Sequence, residues 1–137
     1  MWPKYFSPAE LLVSATAAKQ GITNVPTWQQ LRTLQMFCVC CLDGVRSLAG
    51  RAVVVTSGYR SAELNKVIGG VKNSYHLCRN GYAAADITLG DKVSNCKLFE
   101  KVAESDIPFV ELICEDGGRW LHVAWHPYKC PREIIRR

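Results

Sequence analysis

The stretch from Phe109 to Trp125 constrains this chain more than any other. Residues 109–115 and 120–125 are two β-favouring runs, and Asp116-Gly117-Gly118-Arg119 lies between them. Glycine-rich polar residues turn a chain rather than extend it, so the two runs read as an antiparallel hairpin. With Gly117-Gly118 as the turn, Glu115 faces Trp120 and Ile113 faces His122, all on one side, while Asp116 points to the other. Because side chains alternate with a period of two, a one-residue shift in the turn would exchange Glu115 and Asp116.

The remaining elements follow from caps and periodicity. Ser7-Pro8-Ala9-Glu10 is a capping box with proline at the first helical position, and it opens a helix that Gly21 closes. Thr27 with Gln30 opens a longer helix, carried to about Leu48 by Leu31, Leu34, Phe37, Leu42, Val45 and Leu48, with Gly50 as its stop. Residues 52–56 are β-favouring without alternation, which suits a strand in the middle of a sheet. A short helix over 62–66, the pair Gly69-Gly70, a strand over 85–88 and a helix over 94–105 complete the pattern. Few strands with many helices imply an α+β fold, a small antiparallel sheet with helices to one side. At 137 residues, 48% of them apolar, the chain can bury a core, and no linker or repeat divides it. A single domain over 1–137 is expected.

Charge and cysteine usage narrow the function. The segment Met1-Trp2-Pro3-Lys4-Tyr5 has no continuous apolar stretch behind it, so neither a secretory signal nor a membrane span is expected. Synthesis in the cytoplasm, with later release to the site of action, is the corresponding expectation. The net charge of +5 is spread along the chain apart from Arg132, Arg136 and Arg137. No basic stretch interleaved with aromatics marks a nucleic-acid binder. Seven cysteines, an odd number, do not make a closed disulfide framework. Cys38 and Cys41 fall within the apolar helix pattern and read as small core residues; Cys78 reads as loop filler.

His76, Asp86 and His122 are the candidate metal ligands. Two imidazoles and one carboxylate leave a tetrahedral Zn²⁺ with an open position, the arrangement of a hydrolytic rather than a structural zinc. His126 follows His122 by four, a spacing that joins two ligands on a helix but separates them by roughly 13 Å along a strand. It reads as a cleft-edge or surface residue. Trp28, Trp120 and Trp125 read as core or cleft wall.

These residues sit in an ordered series: FSPAELLVSATAAKQGITNVP, LDGVRSLAG, VVVTSGYRSAELNKVIGG, SYH, AADI and RWLHV. The series resembles the zinc D-Ala-D-Ala carboxypeptidase family, which includes vancomycin-resistance D,D-dipeptidases, many phage endolysins and, more remotely, the hedgehog signalling domain. The resemblance implies a hedgehog/DD-peptidase-like fold and zinc on His76, Asp86 and His122. It also implies a substrate-binding role for Arg60 and Ser74, whose spacing from His76 on an extended segment would put both side chains on one face. Arg60 has a structural salt bridge as its alternative role, Asn65 is expected to brace the glycine loop, and Tyr59 to pack.

Two departures stand out. Relatives space the first two ligands as HxxGxAxD, whereas nine residues separate His76 from Asp86 here. The extra residues read as a small loop at 78–82, with Asn80-Gly81 as its turn, that alters the rim of the cleft. Many relatives also carry an acid three residues before the last histidine, where this chain has Arg119. Members with GRW before that histidine have a glutamate just upstream, which points to Glu115 as general base, with Asp116 second. The expected function is a zinc metallopeptidase acting on peptidoglycan stem peptides or cross-links. A non-catalytic zinc module that binds cell wall or a partner is the alternative, and a nucleic-acid binder is the weaker third.

Overall fold

In the computed structural model, which describes residues 2–137, five strands form one sheet in the order β1-β2-β4-β3-β5. They are β1 (Val54–Ser57), β2 (Ala83–Thr88), β3 (Glu111–Glu115), β4 (Trp120–Trp125) and β5 (Glu133–Arg136). Pairing is antiparallel throughout except between β3 and β5. Met1, at the head of the segment read above for a leader, lies outside the described residues. No helix among those residues is long and apolar enough to cross a membrane.

Alternation along the two central strands gives the sheet two unlike faces. Ala83, Ala85 and Ile87 of β2 and Leu121, Val123 and Trp125 of β4 enter the main core. There they meet Leu34, Phe37, Leu42 and Val45 from the long helical segment and Leu98, Phe99 and Val102 from α5 (Lys92–Ala103). The opposite face carries Ala84, Asp86, His122 and Ala124 and opens into a cleft. This is the expected α+β arrangement. The β3–β4 hairpin also has the expected register, Ile113 opposite His122 and Glu115 opposite Trp120.

Several elements differ from expectation for local reasons. The first helix is broken into a 3₁₀ turn, Pro8–Leu11, and α1 (Ala15–Gln20), because Ser14 starts a new helix by accepting the Ala17 N–H at 3.1 Å. The second helix keeps its predicted ends. Thr27 and Gln30 cap each other at 2.8 and 3.2 Å, and Gly50 stops it at φ 70°. Inside it, α2 (Trp28–Phe37) passes through a π turn, Cys38–Leu42, into α3 (Asp43–Ala49). The wider turn keeps Cys38, Cys41 and Leu42 all buried. α4 (Ala62–Ile68) runs to Gly69, and α5 starts ahead of Ser94 because Asp91 caps it, accepting from Ser94 N at 2.7 Å.

β1 is an edge strand, not a central one, and Val54 is 58% exposed. Valines in succession mark extended backbone but not depth: Val53 and Val55 pack on the core while Val54 faces out. β5 was not anticipated. It is four residues long and pairs with a strand some twenty positions away, a contact without a local signal. Trp125 stacks on Phe37 in the core, whereas Trp28 is 83% exposed and forms neither core nor cleft wall. Cys38, Cys41 and Cys78 are buried free thiols, and burial pushes Cys38 and Cys78 up to about 12, which makes them inert packing residues.

Candidate metal centre

Asp86 and His122 are paired across β2 and β4, so both side chains emerge at the same point of the open face. His76 arrives from a short 3₁₀ turn, Tyr75–Leu77, packed over β2. Together the three offer ligand atoms within 4.8 Å of one another. His122 Nδ1 lies 3.0 Å and His76 Nε2 3.4 Å from the same oxygen, Asp86 Oδ1. They line a cleft of about 650 Å³.

The ring orientations suit a divalent ion. His76 Nδ1 donates to the Gly58 carbonyl at 2.7 Å, which turns Nε2 towards Asp86 and the ligand cluster. His122 has carboxylate oxygens at both nitrogens, Asp86 at Nδ1 and Glu111 Oε1 at Nε2, 2.9 Å away. Burial pushes its pKa down, but hydrogen bonds to the two carboxylates outweigh that and raise it to about 9. For Asp86, burial pushes the carboxyl up, and hydrogen bonds from His122 and His76 overcome this to hold it well below the usual carboxylate range. A proton on His122 Nδ1 thus sits where a cation is wanted, between groups of negative charge, and the donor set fits a zinc-type ion.

Arg60 follows β1 and reaches into the same cleft. Its Nη2 lies 3.5 Å from Asp86 Oδ2, its Nε donates to Ser57 Oγ at 3.1 Å, and its Nη1 donates to Asn65 Oδ1. The buried Asn65 also donates to the Val71 carbonyl at 2.9 Å, so it braces the glycine loop as expected. Gly70 has to lack a side chain there, because a Cβ would collide with Asn65 Oδ1. Tyr59 packs in the core. Ser74 lies in the cleft wall, but its segment is a turn rather than extended backbone. Its hydroxyl caps that turn by accepting the His76 N–H at 3.2 Å.

The acidic residues separate by face. Glu111, Ile113 and Glu115 alternate along the cleft side of β3 beside His122 and Trp120. Glu111 was missed by sequence reading. The hairpin register that placed Glu115 also puts Glu111 on the same side, four residues back along β3, and could have found it. Glu115 lies at the cleft wall with Arg137 Nη1 3.3 Å from its Oε1. Asp116 sits in the exposed turn, pairs with Arg119 at 3.4 Å and does not line the cleft.

The 78–82 loop is well tied down. Tyr82 N donates to the Arg79 carbonyl at 3.1 Å, and positive φ at Cys78, Asn80 and Gly81 curls the backbone. His126 holds it in place. This residue is buried rather than on the surface; its Nε2 donates to the Asn80 carbonyl at 3.0 Å and its Nδ1 accepts from Tyr128 and Lys129 N–H. It is not part of the ligand cluster.

Comparison with known proteins agrees with this geometry. The family described as Peptidase M15 matches residues 4–124. The chain belongs to that family. Members are peptidases, typically metal-dependent, and the His76–Asp86–His122 group supplies a candidate site for the ion. No curated protein matches the chain.

Proposed function

We propose that this protein is a zinc-dependent peptidase that hydrolyses stem peptides or cross-links of bacterial peptidoglycan. The observation that carries the reading is three convergent ligand atoms within 4.8 Å at the floor of an open cleft, in a chain of the Peptidase M15 family. His76, Asp86 and His122 hold the ion, with Gly58 and Glu111 fixing the imidazole rings from behind. Bound there, zinc would supply Lewis-acid chemistry, polarising a scissile carbonyl and lowering the pKa of water towards neutrality.

The chain's own groups do the rest. Glu115 accepts the proton of the attacking water on a carboxylate oxygen and returns it to the leaving amine. Glu111 is committed to the His122 ring, whereas among the described residues Glu115 is engaged by the exposed Arg137 alone. Arg60 presents a planar guanidinium to a substrate carbonyl or carboxylate, and the Ser74 hydroxyl assists while its oxygen caps the His76 turn.

The test is turnover of purified cell-wall sacculi with and without chelator. Glu115→Gln should lower the rate by about 10²-fold or more while zinc content and melting temperature hardly move. Asp116→Asn should have little effect. A larger effect from Asp116→Asn would mean that the turn presents Asp116 to the cleft. A wild type that binds zinc and wall but hydrolyses nothing would make this a binding module, a reading favoured by Arg119 where many relatives carry an acid.

A further inference from the structure

The loop that separates this chain from its relatives builds something of its own. Its residues Arg79, Asn80 and Tyr82 help to wall a second cavity of about 280 Å³, room for about nine waters at ~30 Å³ each and thus for one residue of a peptide. The cavity shares Asn73, Ser74 and Tyr75 with the metal cleft, so one substrate chain can occupy both. One wall is aromatic: the Tyr75 and Tyr82 rings lie 4.7 Å apart, and His126 backs Tyr82 at 4.6 Å. The rim carries Arg79, an exposed cation with no ion pair or side-chain hydrogen bond among the described residues.

His126 fastens this loop at the Asn80 carbonyl and packs over Gly81, where a Cβ would approach its Nε2 to 3.0 Å. The backbone of the rim is therefore preorganised, and Arg79, without an ion pair among the described residues, lines a pocket adjoining the ligand cluster. We propose that Arg79 and the 78–82 loop form a subsite for a substrate residue bearing a free carboxylate, next to the bond that is cut. The proposal rests on the peptidase reading and adds selectivity to it. A stem peptide whose γ-linked D-glutamyl residue keeps its α-carboxylate is preferred over one in which that group is amidated.

Two synthetic peptides test it, L-Ala-γ-D-Glu-L-Lys-D-Ala with the glutamyl α-carboxyl free or amidated, each with reduced linkages so that neither is consumed. Calorimetry on the zinc-loaded protein should show the free acid binding about 5-fold tighter, the upper end for an ion pair open to solvent, with a preference that shrinks as salt rises. In Arg79→Gln the preference should vanish while the amidated peptide binds as before. Arg79→Lys should restore part of it, and zinc content should stay the same in both variants. An equal affinity for the two peptides in the wild type, or a preference that survives Arg79→Gln, overturns the subsite. Hydrolysis of the unreduced peptides is scored separately. A carboxylate preference without hydrolysis keeps the subsite and removes the peptidase; hydrolysis without preference does the reverse.

Discussion

The two faces of β2 and β4 are built from the same strands yet respond to change in opposite ways. On the helix side, Ala85, Ile87, Leu121 and Val123 form a dry surface in which each contact is nondirectional and neighbours share the load. On the cleft side, Asp86 and His122 occupy alternate positions of those strands, and each depends on a named partner at a fixed distance: His76, Glu111 or Arg60. Removing an apolar side chain weakens the whole fold by a graded amount, whereas removing a polar one leaves a partially buried charge without its complement. The fold and the chemistry therefore fail separately.

The sharpest break in that comparison is His122→Ala. Two remaining ligands hold Zn²⁺ poorly, so stoichiometric zinc and hydrolysis should disappear together. Full zinc in that variant by elemental analysis would remove His122 from the site. Its neighbour Leu121, fully buried on the other face, should behave oppositely. Leu121→Ala should lower stability by about 3 kcal/mol in denaturant titration while zinc stoichiometry and the rate per folded molecule are kept.

A smaller effect is pH-dependent. The folded-state pKa of His122 is raised to about 9, above the unfolded value near 6.5, so its contribution to the metal-free protein is complete below pH 6.5 and is lost as pH rises to about 9. Metal-free protein should lose on the order of 2 kcal/mol across that window, and zinc-loaded protein should not. Zinc binding at pH 7 should correspondingly release about one proton from this ring, measurable by calorimetry in two buffers of unlike ionisation enthalpy, and the release should fall away above pH 9. The smallest expected change is Arg60→Lys, a drop of about 10-fold in kcat/KM with zinc and fold intact, because an ammonium cannot reproduce the flat two-pronged contact. Unchanged turnover would make Arg60 a brace for Asp86 and Asn65.

The same contrast explains what could be read in advance. Period-two alternation around a glycine turn gave the hairpin its register, and with it the side of the sheet on which Glu115 and His122 lie. Caps at Thr27 and Gly50 carry their signal locally, and those ends were legible. Ser14 was not recognised as a competing cap, so one helix was expected where there are two. β5 and the depth of β1 depend on partners far along the chain, for which neither run carries a mark. At the site, residue type and family resemblance pointed to His76, Asp86 and His122, which the fold brings together, while Glu111 and the fastening role of His126 emerge only once β3 and the 78–82 loop are in place.

The pairing of Asp86 with His122 also has a consequence for timing. The two proposed ligands are 36 positions apart, so no short segment of a newly made chain contains the complete candidate site. His76 and Asp86 leave the ribosome first as an incomplete pair, and as proposed ligands they would hold zinc poorly until β4 has zipped onto β2. Long-range closure of this kind is a late and slow event. On the proposed assignment, zinc would be captured by an already assembled sheet, and its effect would fall on the rate of unfolding rather than on the rate of folding.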